Sequence, residues 1–263
     1  MNARSGDDPL AGFDDASRAR LHGLVAEITE RPAAVAVRFP AAARLVAGAR
    51  TDPADPAGLL GPTPADRARG ALLRALRDAP TLAGRPERVA AEVADLYRFG
   101  DSDEKRAVLR GLEGPDGVRI GPATAELVAD ALRTNDPRLV AAAMGPCGYH
   151  HLNDADWRHG VLKCLFIGVP LAAVHGLRTR CDAELTRMAG GFVAERVAAG
   201  RTVPDATWLL VGDHPPTLEA LATEARSPHP DRRAAAGLAL AQHRALQHHP
   251  EETECASSTR TST

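Results

Sequence analysis

What most constrains this chain is a shortage of strand-forming side chains. It has only three isoleucines (Ile28, Ile120 and Ile167) and 3% aromatic residues, while alanine makes up roughly a fifth of it, in runs such as Ala41-Ala42-Ala43. Sheets are built from β-branched and aromatic side chains that fill a pleated surface. Alanine-rich faces instead let helices approach closely, so the composition predicts an all-α fold. The 44% hydrophobic and 25% charged content is that of an ordinary globular protein and excludes wholesale disorder. A length of 263 residues suffices for one large domain or two small ones. No linker-like stretch divides them, so a single helical domain over 13–249 is expected, with 1–12 and the Ser/Thr-rich 250–263 disordered.

The charges exclude some partners. Basic and acidic residues number 32 and 34, for a net charge of −2, and the two signs are interspersed. A nucleic-acid binder shows a basic face or stripe, so nucleic acid is not an expected partner. The most apolar stretch, 161–177, is interrupted by Lys163, Gly168, Pro170 and His175. It falls short of the ~20 apolar residues of a membrane span. The first ten residues are polar and carry Asp7 and Asp8, without the apolar core of a signal peptide. A cytoplasmic protein is therefore expected, with Cys147, Cys164, Cys181 and Cys255 as reduced thiols.

Helix punctuation recurs along the chain. Thr63-Pro64, Asp136-Pro137 and Ser227-Pro228 are cap-then-proline starts, and Asp101 with Glu104 has the spacing of a capping box. With apolar spacing these signals predict helices over 14–30, 32–49, 64–79, 86–99, 102–112, 122–133, 137–145, 154–167, 169–176, 181–199, 205–211, 215–226 and 230–248. Asp66 and Arg69 stand at helical ion-pair spacing. The stretches 135–143 and 230–236 echo each other, each a cap and an arginine followed by small residues. That echo suggests a HEAT-like helical-pair solenoid, with an irregular helical bundle as the alternative.

Few residues carry an obvious chemistry. Cys147, His150, His151, His159, Cys164, His175 and Cys181 share one window, but no CxxC or HExxH is present, and no metal site is expected. There is no GxSxG elbow and no glycine-rich phosphate loop, so neither a catalytic nucleophile nor a cofactor is expected. Gly190-Gly191 lies within a helical pattern and reads as a close helix contact. The notable segment is 154–171, where Asp156, His159 and Lys163 share one helical face. A lysine in the most apolar helix must snorkel, pair with a carboxylate or titrate anomalously. It is either a ligand-anchoring or Schiff-base group, or an ion-pair partner of Asp156 or of a carboxylate on a neighbouring helix.

From about 154 to 212 the sequence resembles the EboA family of the bacterial ebo gene cluster. The resemblance rests on the run from Trp157 to Leu171, on Gly176-Leu177, on Glu184 to Met188, and on Glu195 to Pro204, closing at Trp208. Weaker similarity reaches back to 135, so 135–212 is the best-matched part. Gly190-Gly191, Val197 and Leu209 depart from the family pattern. The resemblance implies a place beside enzymes of the prenyltransferase, sugar-phosphate cyclase and metal-dependent hydrolase or isomerase types, in making or exporting a specialised metabolite. It assigns no catalytic residue. The expected function is a non-catalytic binding or scaffold protein whose partner is a pathway enzyme or a small-molecule intermediate. Asp156, Trp157, His159, Lys163, Glu195, Arg196, Arg201 and Trp208 are its candidate binding residues. The alternative is an enzyme using Lys163 with Asp156 or Glu195 as acid/base.

Overall fold

The computed structural model describes residues 12–46, 49–113 and 117–247. The segments expected to be disordered, 1–12 and 250–263, lie outside the described residues except for Gly12. Among the described residues there are fourteen α-helices and no strand, so the fold is all-α. The chain packs as two compact units. No described helix is long and apolar enough to cross a membrane.

The first unit comprises Met1–Asn153 together with Ala172–His175. It holds α1 (Asp15–Glu30), α2 (Val35–Leu45), α3 (Pro64–Arg77), α4 (Pro86–Phe99), α5 (Ser102–Gly111), α6 (Ala123–Arg133), α7 (Pro137–Ala143) and α8 (Pro146–His151). The expected start signals operate: Thr63 with Asp66 and Asp101 with Glu104 form reciprocal capping boxes, and the Asp136 side chain caps α7. α3 buries Ala68, Leu72, Leu73 and Leu76 against its neighbours. It meets α5 closely, because a Cβ on Gly111 would lie 2.5 Å from Leu73 Cδ1. α7 is buried all round, Leu139 to Ala143 being no more than 1% exposed, as expected of a central helix.

A ladder of charges links these helices, buried at Asp66 and Arg106 and open to solvent at Asp103 and Arg138. Arg106 donates its Nε to both Asp66 oxygens at 3.0–3.1 Å and its Nη1 to Asp103 at 3.0 Å. Asp103 also accepts from Arg138, which in turn grips Asp136. The expected Asp66–Arg69 pair does not form. Arg69 instead donates to the Phe39 carbonyl and lies 3.6 Å from Glu104, because Asp66 is committed to its cap and to Arg106.

The second unit comprises Asp154–Leu171 and Gly176–Thr263. It holds α9 (Asp154–Ile167), α10 (Leu177–Arg180), α11 (Ala183–Ala198), α12 (Trp208–Val211), α13 (Pro215–Glu224) and α14 (Pro230–Gln247). α9 turns Trp157, Gly160, Val161, Cys164 and Leu165 inward, and α11 does so with Leu185, Ala189, Gly190, Val193 and Val197. Gly190 is a close helix contact, since a Cβ there would meet Thr217 Oγ1 of α13 at 2.2 Å; Gly191 faces open space. α11 ends in a Schellman turn, with the Arg201 N–H bonded to the Arg196 carbonyl and the Gly200 N–H to that of Val197. Gly200 sits at φ +67°, in the left-handed region that favours glycine.

The element bounds depart from expectation in several places, among them the expected 32–49 and 205–211 helices, which each open with a 3-10 turn, Pro32–Ala34 and Asp205–Thr207. The helix expected over 169–176 is a short 3-10 turn, Leu171–Ala173. Pro170 and the left-handed Gly168 and Gly176 (φ +80° and +70°) leave no continuous helical backbone there. The expected 181–199 helix is α11 alone, preceded by the separate single turn of α10. α8 went unpredicted because its six residues are too few to show a period. α14 begins at Pro230, as expected.

Candidate functional site

The most built-up part of the second unit is the start of α9, which carries five charged or polar groups within two turns. Arg158 donates to both oxygens of Asp182 through Nε at 3.1 Å and through Nη2 at 2.5 Å. Asp182 is also the N-cap of α11, accepting the Leu185 N–H at 2.9 Å. Hydrogen bonding from Arg158 is the main reason that this carboxyl titrates below its ordinary range. Arg180, at the end of α10, bonds Asp154 at 2.7 Å and holds its guanidinium 4.8 Å from the Trp157 ring centre. Trp157 is itself 0% exposed, and its indole N–H has no hydrogen-bond partner.

The expected site residues fall into separate surroundings. Asp156 and His159 are exposed on α9, and Lys163 is half-buried on the same face. The His159 Nδ1 lies 2.9 Å from the Ala155 carbonyl, so the ring is tied to its own helix. Glu195 and Arg201 are exposed. Arg196 reaches around the α11 terminus to the Thr202 carbonyl and stacks on Phe192, closing the turn at Gly200. Trp208 is buried against α14, with its ring 5.3 Å from that of His243. The structure thus sets Arg180 against Trp157 and pairs the adjacent Arg158 with Asp182, and neither Arg180 nor Asp182 stood out in the sequence. Asp182 could have been found as the acidic residue just before a helical period, which is a cap signal.

The Cys/His window divides between the units. Tyr149 sits edge-on to both His150 and His175, with ring centres 4.9 and 5.1 Å away. Burial pushes the thiols of Cys147 and Cys164 up to about 12, so both stay protonated at neutral pH. Cys147 and Cys164 are free thiols as expected, Cys181 is disulfide-bonded, which corrects that part of the expectation, and Cys255 lies outside the described residues. Among the described residues no group of three or more His, Cys, Asp or Glu side chains is arranged to hold a metal ion.

The family model described as metabolite traffic protein EboA matches residues 117–212. Over this stretch the chain is similar to the EboA family. It begins earlier than the best-matched part expected from the sequence, at 117 rather than 135, and it ends at the same residue. The matched stretch draws on both units: it takes in α6 to α8 of the first, and α9 to α12 of the second. The start of α9, with its Arg158–Asp182 pair, lies wholly within it. No curated protein and no solved structure matches the chain.

Because Asp182 serves as cap and ion-pair partner together, Asp182→Ala is expected to lower stability by about 1–2 kcal/mol. Asp182→Asn, which keeps a capping oxygen but not the charge, should cost less. Urea unfolding followed by circular dichroism measures both. Equal losses would assign the whole effect to the ion pair.

Proposed function

We propose that this protein is a non-catalytic helical binding protein that handles a small-molecule intermediate, or the enzyme acting on it, in a metabolite pathway of the cytoplasm. The observation that carries this reading is the similarity over 117–212 to a family described as a metabolite traffic protein. The local chemistry agrees with it. The buried thiols are held protonated, His159 is tied to its own backbone and Arg196 closes a turn. Groups that covalent or acid–base catalysis would draw on are engaged in holding the fold.

The test combines genetics and chemistry. Deleting the gene should reduce the pathway product, and restoring it as Lys163→Met should return the product while Trp208→Ala should not. The second reading, an enzyme using Lys163 with Asp156 or Glu195, predicts the reverse for Lys163. A folded Lys163→Met variant that accumulates an intermediate, which purified wild-type protein alone then converts, establishes catalysis and ends the binding-only reading.

A further inference from the structure

Ahead of α3, in the first unit, residues 51–67 surround an open cleft of about 300 Å³. That is the share of about ten water molecules, at the lower end of the range for small-molecule sites. Its walls are set without a ligand. Asp55 accepts the backbone N–H groups of Leu59, Leu60 and Gly61 at 2.7–3.0 Å. Pro53, Pro56, Pro62 and Pro64 restrict the backbone on either side. A loop fixed in this way has little conformational freedom left to lose on binding.

The lining carries both signs of charge and an apolar wall. Asp52 accepts the Ala54 N–H through one carboxylate oxygen at 2.9 Å and makes no ion pair among the described residues. Arg67, early in α3, donates Nη1 to the Pro62 carbonyl at 3.1 Å and lies over the Phe13 ring, 5.7 Å from its centre. Ala54, Leu60, Pro62 and Pro64 supply apolar surface, and Leu60 is 51% exposed. Burial opposes the charge of Asp55, yet its three N–H donors hold the carboxyl below its ordinary range, with Arg110 adding to them. The Asp55 carboxylate is thus engaged in holding the loop, which leaves Asp52 to meet a cationic group. A simple anion in the cleft would face both carboxylates, and a simple cation would face Arg67. A molecule carrying both charges is complementary to both walls.

We propose that this cleft binds a small zwitterion of the α-amino-acid class with an apolar side chain, its ammonium at Asp52, its carboxylate at Arg67 and its side chain against Leu60 and Pro62. A guanidinium fork matches a carboxylate in geometry as well as charge. The cleft lies outside residues 117–212, so the proposal goes beyond the pathway reading and does not rest on it. The experiment is calorimetric titration of the full chain with leucine. Its two comparisons are 3-methylbutylamine, which lacks the carboxylate, and 4-methylpentanoate, which lacks the ammonium. Saturable binding of leucine is expected, with each analogue about fivefold weaker or not bound.

Asp52→Asn keeps an oxygen for the Ala54 N–H, and Arg67→Gln keeps a donor for the Pro62 carbonyl. Each should weaken leucine binding about fivefold, and circular dichroism verifies that each variant folds. A general distortion of the loop would weaken leucine and its analogues alike. Loss of the specific contact instead abolishes the preference for leucine over 4-methylpentanoate in Asp52→Asn, and over 3-methylbutylamine in Arg67→Gln. Absence of saturable leucine binding overturns the proposal. So does an analogue that binds wild type as tightly as leucine, or a preference that both variants retain. Each of these results leaves the pathway reading standing, which fails separately if gene deletion leaves the product level untouched.

Discussion

Asp66→Ala is expected to remove about 3–5 kcal/mol of stability, the cost of stranding a buried charge. The Asp66 side chain is 0% exposed and that of Arg106 is 5%, and the guanidinium Nε faces both carboxylate oxygens. Without the carboxylate, Arg106 keeps its bond to Asp103 and a long one to the Thr63 hydroxyl, and stays in the interior with its charge largely uncompensated. The Thr63 N–H loses its acceptor as well, which dismantles the capping box that starts α3. Asp66→Asn retains an acceptor oxygen for the cap and should lose less. Urea unfolding at pH 7, read at 222 nm, provides the measurement. A loss under about 1 kcal/mol would show that the ladder from Asp66 to Asp136 is not under strain from burial.

Glu113 should make stability fall as pH rises through neutrality, by about 3 kcal/mol in all. Burial raises its carboxyl from the ordinary 4.5 to about 7, against the opposing pull of Arg110 3.4 Å away. Its Oε1 presses on Gly145, where a Cβ would lie 2.3 Å from it. A raised folded-state value means that the native protein holds a proton which the unfolded chain has released. That stability is fully present below about 4.5 and is lost as pH climbs past 7. His151, whose imidazole is held below its ordinary range by burial, acts in the opposite sense in an overlapping window. The difference between wild type and Glu113→Gln therefore isolates the effect. Measured from pH 5 to pH 8, this difference should shift by about 2.5 kcal/mol in favour of the variant. A flat difference would mean that the carboxyl is already ionised at pH 5.

Much of the secondary structure was legible in the sequence, for local reasons. Thr63, Asp101 and Asp136 start their helices because each supplies a side-chain oxygen to N–H groups that have no partner within the helix. The α9 bounds, 154–167, also agree with the expected helix. The errors fell where local rules were weakest. At 169–176 the apolar residues permitted a helix while Gly168, Pro170 and Gly176 did not, and backbone geometry prevailed over hydrophobicity.

The candidate site was legible only in part. Trp157 and Trp208 were selected as tryptophans within the EboA resemblance, and both are buried with unpartnered indole N–H groups. Their surroundings come from distant sequence: Arg180 stacks on Trp157 from 23 positions away, and His243 meets Trp208 from 35 away. Glu195 and Arg201 were selected on the same grounds and are exposed.

By itself the sequence determined the all-α class, most helix starts and the EboA resemblance. These depend on composition, caps and residue order, which act over a few neighbouring positions. Only the tertiary structure decided that Asp66 answers to Arg106 across 40 residues rather than to Arg69 three away, that Asp182 holds Arg158, and that Trp208 meets His243. The physical reason is common to all three. A charge or a polar group takes whichever partner packing brings to it once water is excluded, and helix packing joins residues whose separation along the chain carries no local signal.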